Sequence, residues 1–193
     1  GYDGPKHVRV YLTHSDDDGE TWSPPQDVSR SMRRESAVAL GSPGTGIVLT
    51  RGPNRGRILF PNYEVYHLGG GKRNTANSVS YSDDMGRTWK LTDPIAEPDT
   101  SSGTGDEAQL VELTNGGVLL SARDEPGGSF RKLSVSADGG KTWSRHRVAN
   151  DLMTPTCMSS LLRFSWPQNN QPGLILHTLP NTKKRRENGT LFV

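Results

Sequence analysis

The chain has 193 residues, enough for one domain, and its 31% hydrophobic content with 22 Gly and 13 Pro favours many short strands joined by turns over long helices. A net charge of +2 lacks the electrostatic footprint of a nucleic-acid binder, and a lone cysteine, Cys157, allows neither an intrachain disulfide framework nor a zinc site built from cysteines. No run of ~18 apolar residues is present to span a membrane.

In chain order, the strand-like run VRVYLTH (8–14) leads into the turn-rich SDDDGETW (15–22). Next, SPGTGIVLTRGPNRGRILFPNY (42–63) places a Gly-rich loop before strand-like runs, and FPNYEVY puts Asn62, Tyr63 and Tyr66 just after one of them. NSVSY then precedes SDDMGRTW (82–89), and KLSV precedes SADGGKTW (136–143). No stretch sustains i, i+3, i+4 apolar spacing beyond about two helical turns. His14, His67, His146 and His177 are scattered without ligand spacing, so no metal is expected. The basic cluster Lys183-Lys184-Arg185-Arg186 is too short to stand as a nucleic-acid patch. The chain begins inside a strand-and-turn pattern (GYDGPKHVRVYLTHSDDDGETW) and stops within the apolar run of NGTLFV, which reads as an internal piece of a longer protein.

Between the second and third turn motifs lies GDEAQLVELTNGGVLLSARDEPGG (105–128). Two strand-like runs, Ala108 to Leu113 and Val118 to Ala122, flank Asn115-Gly116, a strong hairpin signal. Glu107 lies eight residues before Asn115 and Arg123 eight after it. An antiparallel ladder returns the two side by side, roughly 25 Å from the turn at ~3.3 Å per residue. One reading is a rim salt bridge, worth under ~1 kcal/mol. The other is half of an anion-binding catalytic site.

The motif Ser-x-Asp-x-Gly-x-Thr-Trp occurs at 15–22, 82–89 and 136–143, with starts 67 and 54 residues apart, roughly a four-stranded propeller blade with insertions. Asp and Ser oxygens can accept from loop N–H groups, Gly supplies positive φ, and Thr-Trp starts the next strand. This repeat resembles the Asp-box of sialidases and several other β-propeller proteins. Asp17, Asp84 and Asp138 are expected to hold turns and take no part in chemistry. The resemblance implies an all-β fold, a six-bladed propeller of which residues 1–193 supply about three to four blades of a single domain truncated at both ends.

Other segments are similar to sialidases in the family's order: residues 42–63, the 105–128 stretch with its glutamate and "S-A-R" end, PTCMSSLLRFSWPQ (155–168), and RENGTLFV (186–193). Sialidases hold the carboxylate of terminal sialic acid with three arginines and use a general-acid aspartate and a tyrosine nucleophile partnered by a glutamate. The resemblance assigns Glu107 as that base, Arg123 as the second arginine and Arg186 as the third. Arg185 is the rival of Arg186, because a one-residue slip turns a strand side chain to the other face. Asn62, Tyr63 and Tyr66 would face the substrate's glycerol or acyl groups. Arg131 and Arg163 read as surface or strand arginines, Cys157 as a small buried residue, and Met158 stands where many relatives carry Gln. The first arginine, the acid aspartate and the tyrosine fall outside this span.

The implied activity is exo-α-sialidase hydrolysis of terminal sialic acid from sialylated glycans, with retention. No cofactor is implied, the oligomeric state is open, and a secreted or extracellular location follows the family. Alternatives are a non-catalytic Asp-box propeller acting as a binding module, a transglycosylase of the same family, and a different glycoside hydrolase using paired carboxylates. Asp106, Asp124 and Glu125 leave room for the last, although they sit in turn-like contexts where solvated carboxylates are ordinary.

Overall fold

The computed structural model describes residues 8–95, 105–125 and 127–193. Residues 1–7, part of the opening strand-and-turn pattern, lie outside the described residues. The described chain carries fourteen strands, β1 (Tyr11–Leu12), β2 (Gln26–Asp27), β3 (Val38–Gly41), β4 (Ile47–Val48), β5 (Ile58–Gly69), β6 (Lys72–Ser82), β7 (Lys90–Leu91), β8 (Ala108–Glu112), β9 (Val118–Ala122), β10 (Phe130–Ser136), β11 (Arg147–Met153), β12 (Ser160–Arg163), β13 (Ile175–Pro180) and β14 (Gly189–Phe192). One single-turn helix, α1 (Ser29–Met32), follows β2. No described helix is long and apolar enough to cross a membrane.

Every strand pairing is antiparallel. The sheets fall along the chain as propeller blades do: β1-β2, then β3-β5-β6-β7 with β4 beside β5, then β8-β9-β10-β11, then β12-β13-β14. This is an all-β propeller segment, and its sheets do not close into a ring. The main core lies between the second and third of these sheets, where Leu49, Leu59 and Val79 meet Leu110, Val118 and Leu120. All five β8 residues are buried although β8 ends its sheet, because β5 and β12 pack against it.

Each Asp-box joins neighbouring strands of one sheet: β1 to β2, β6 to β7, β10 to β11. In the second box Asp84 Oδ1 accepts from Thr88 N at 2.8 Å and Oδ2 from Thr88 Oγ1 at 2.6 Å. Ser82 Oγ accepts from Gly86 N at 2.8 Å. The third box repeats this at Asp138, Thr142, Ser136 and Gly140, and the first at Asp17, Thr21, Ser15 and Gly19. Gly86 and Gly140 take φ of 84° and 89°, a region that glycine enters at no steric cost. Trp89 and Trp143 close the turns by donating Nε1–H to Gly86 O and Gly140 O. Arg57, buried, ties two boxes together by donating to Asp83 Oδ1 (2.6 Å) and Gly139 O (2.8 Å).

The threonine hydrogen bonds hold Asp17 and Asp84 down at about 2. At Asp138 partial burial acts upward, and the Thr142 and Ser136 bonds outweigh it to give about 2. Because these folded-state values lie below the ~3.9 of an unfolded chain, the stabilisation is complete above about pH 4 and is lost as pH falls toward 2. In urea titrations the wild-type midpoint is expected to drop steeply over that window. Asp84→Asn/Asp138→Asn should begin lower at pH 6 and respond less to acid. A double variant with unchanged pH dependence would contradict the role of these turns.

Candidate active site

The site forms where the β8–β9 hairpin opens. Thr114–Gly116 make a three-residue loop: Gly116 N donates to Leu113 O (3.1 Å), Leu113 N to Gly117 O (2.8 Å), and Gly116 takes φ 81°. From there the register runs Glu112↔Val118 to Ala108↔Ala122. It continues one step further, because Arg123 N donates to Glu107 O at 2.8 Å and Asp106 N to Arg123 O at 3.1 Å. Glu107 therefore stands opposite Arg123, where the sequence spacing puts it.

Their side chains meet. Arg123 Nη1 donates to Glu107 Oε2 at 3.0 Å and Nη2 to Glu125 Oε2 at 3.0 Å. The other oxygen of Glu125 lies 3.5 Å from Arg73 Nη2. The Glu107 and Arg123 side chains keep 24% and 23% of their exposure, so a solute can reach them. Burial acts to lower the Arg123 pKa, but the Glu107 hydrogen bond and the charges of Asp106, Glu107 and Glu125 raise it on balance. A guanidinium so placed stays charged and suits an anion.

A cavity of about 210 Å³ opens over this pair. Tyr63, Val65 and His67 of β5, their neighbours Thr75 and Arg73 of β6, Val38, and Asp106, Glu107 and Arg123 line it. Alternation along β5 sends the intervening residues to the opposite face. Asn62 is buried and donates to Ser80 Oγ at 2.8 Å. Tyr66 donates its hydroxyl to the buried Glu64, which also accepts from Arg34 Nε at 3.1 Å. Burial first, and then the Glu64 carboxylate, push the Tyr66 phenol well above its usual range. Of the three expected contact residues, Tyr63 alone lines this cavity.

Arg186 is exposed and lines a second cavity, about 590 Å³, with Gln109, Met158, Thr178 and Glu187. Its Nη2 lies 3.5 Å from Thr156 O. Gln109 is two residues along from Glu107, so the two cavities draw on the same arm of the hairpin. The structure joins Glu107, Arg123 and Tyr63 in one cavity and sets Arg186 at the other. Arg185 is also exposed, its carbonyl accepting from Thr182 Oγ1.

Two carboxylates differ from what their sequence context suggests, and two arginines that lie in strands as expected make contacts that it does not show. Asp124 and Glu125 are not solvated turn carboxylates: Asp124 sits 2.7 Å from Lys132 Nζ, and Glu125 grips Arg123. Arg131 lies in a strand but is wholly buried at 0% exposure, donating to Ser121 Oγ, Ser121 O and Cys157 O. Burial lowers it to about 10. Arg163 donates to Glu112 O and stacks at 4.8 Å on Trp166, whose ring also has Arg51 at 4.1 Å. Asn77 was not legible as a site residue. It is fully buried, and its Nδ2 donates to Asp106 O (2.6 Å) and Asn62 O (3.1 Å), fixing the backbone beside Glu107. A lone Asn inside NSVSY offers no signal of this.

An Asp-box propeller segment with a carboxylate–guanidinium cavity defines the class of protein. The chain belongs to the BNR repeat-like domain family, which it matches over residues 2–187. It is 31% identical to a sialidase of Bacteroides fragilis (strain YCH46), over all of this chain and 33% of that protein. It is 35% identical to a sialidase of Micromonospora viridifaciens, over 82% of this chain and 23% of that protein. Among solved structures, the intramolecular trans-sialidase from Ruminococcus gnavus, in complex with oseltamivir carboxylate, superposes with a TM-score of 0.78 at 30% identity, covering 95% of this chain and 35% of that one. The leech intramolecular trans-sialidase, complexed with 2,7-anhydro-Neu5Ac, gives 0.79 at 28% identity, covering 95% and 25%. The chain thus spans about a third or less of the length of these sialidases.

Burial raises the pKa of Asp106 despite the Glu107 N–H and the Arg123 charge. A raised carboxyl favours folding below its unfolded pKa, and this is lost as pH rises through the folded value. Asp106→Asn keeps the acceptor for Glu107 N–H and removes the charge. It is expected to raise the melting temperature at pH 7 and to leave it unchanged near pH 3. A lower melting temperature at pH 7 would show that the ionised form is favoured.

Proposed function

We propose that the protein carrying this chain is an exo-α-sialidase, which hydrolyses terminal sialic acid from glycoproteins, glycolipids or oligosaccharides. One observation carries the reading: a partly exposed Arg123 paired with Glu107 in a concave site, in a chain similar over nearly its whole length to sialidases.

Sialic acid bears a carboxylate on its anomeric carbon. A guanidinium fork can hold that group at two points and does not lose its charge near neutral pH. The same carboxylate repels a carboxylate nucleophile, which is why sialidases depart from the two-carboxylate scheme and use tyrosine. A phenol near ~10 needs a base to attack at neutral pH. In this reading Glu107 is that base and Arg123 grips the substrate carboxylate. Arg186 adds a second guanidinium from the adjoining cavity, so that the sugar spans both. Tyr63 contacts the glycerol or acyl groups, whereas Asn62 and Tyr66 act through the packing of β5. Residues 1–193 form part of a single propeller domain. Its remaining blades supply the nucleophilic tyrosine, the acid aspartate and the first arginine, and the glycosidic bond is cleaved with retention.

A second reading is supported by the likeness to two intramolecular trans-sialidases. The sugar would then leave as an internal anhydride in place of the free acid. Mass analysis of the product separates the two, since the anhydride is lighter by one water.

In the full-length protein, Arg123→Ala is expected to lower kcat/KM on a fluorogenic α-sialoside at least ~100-fold, the scale of losing a preorganised charge-stabilising donor. Glu107→Gln should lower kcat with a smaller change in KM. Near-normal turnover by Arg123→Ala would remove this site from the chemistry.

A further inference from the structure

Arg123 already holds a carboxylate. Its Nη2 donates to Glu125 Oε2 at 3.0 Å, while Nε, on the same edge of the guanidinium, is buried and has no partner among the described residues. An arginine side edge offers two parallel N–H groups, and a bidentate ligand needs both. Glu125 engages one of them. Its second oxygen turns away, toward Arg73 at 3.5 Å. The Arg73 side chain is 65% exposed and lines the same 210 Å³ cavity.

From this we infer that Glu125 is a displaceable internal carboxylate, seated on Arg123 where the ligand's carboxylate binds and drawn off by Arg73 when the ligand arrives. The ligand's identity rests on the sialidase reading, whereas the seat itself is a property of these three side chains. The exchange is balanced in charge. Arg123 trades one carboxylate for another, and Glu125 keeps a guanidinium partner. It gains in hydrogen bonds, because a two-point grip on Nη2 and Nε replaces a one-point grip and satisfies a buried donor. Neutral competitors cannot drive the exchange, since they would leave Glu125 on Arg123. Glu125 therefore acts as a specificity-determining residue: it raises the threshold for occupancy to ligands that carry an anion of their own.

The structure gives Glu125 and Arg73 opposite signs. Glu125→Gln removes the competitor, and Arg73→Gln removes the group that receives it. The full-length variants can be titrated calorimetrically with three probes: sialic acid, its methyl ester, and pyruvate as a bare small carboxylate. Glu125→Gln is expected to tighten sialic acid and pyruvate by about fivefold, the scale of one partly exposed ion pair, and to leave the ester unchanged. Arg73→Gln should weaken both acids by about threefold.

Glu125→Gln that binds both acids equally well or more weakly would overturn the inference and mark Glu125 as a support for Arg123. If pyruvate tightens while sialic acid binds neither protein, the seat stands and the sialidase reading falls. If neither acid binds any variant, both fall.

Discussion

The antiparallel register of the β8–β9 hairpin is the constraint on which the site depends. A three-residue loop closed by a left-handed Gly116 sets Glu112 against Val118, and each following pair is then fixed up to Glu107 and Arg123. Side chains alternate between faces with a period of two, so a one-residue slip of either strand would send its ionic group to the side away from its partner. The buried apolar positions Leu110, Val118 and Leu120 resist such a slip, because it would turn polar Gln109 or Ser121 into the core in their place. Core packing thereby specifies where charge is placed at the rim.

Around that pair the fold assembles a polar network whose members come from distant parts of the chain. Arg73 comes from β6, Glu125 from the end of the β9 segment, and Asn77 braces the Asp106 carbonyl from beneath. Glu107 and Arg123 retain about a quarter of their exposure. That intermediate burial is informative. A fully exposed pair would be screened and weak, and a fully buried one would be closed to ligand. The Arg131 cluster supplies the contrast: a wholly buried guanidinium satisfied by backbone and serine oxygens, with no route for solute. Two arginines eight residues apart thus differ in access to solute, Arg123 lining a cavity and Arg131 sealed in the core.

Much of the fold was legible because its signals are local. Each Asp-box is an eight-residue device whose hydrogen bonds run between its own Ser, Asp, Gly and Thr, so the motif carries its own geometry. The hairpin was legible for the same reason, since register follows from a turn and a count. The cavity was only partly legible. Tyr63 lines it and Asn62 and Tyr66 do not, a distinction fixed by the exact pairing of β5 with β6 that no motif announces. Glu125 looked like an ordinary turn carboxylate, because its partners Arg123 and Arg73 meet only when two sheets pack. Arg131 looked like an ordinary strand arginine, because burial depends on the strand that covers it. Long-range packing is what sequence patterns leave out.

The central claim is that the rim formed by Glu107 and Arg123 is the seat of an acidic sugar. Its most direct test is a crystal structure of the full-length protein soaked with sialic acid. The sugar carboxylate is expected within hydrogen-bonding distance of the Arg123 guanidinium, with Glu107 beside the anomeric centre. Sugar density elsewhere, with the Arg123 ion pairs intact and no ligand in the cavity above them, would contradict it.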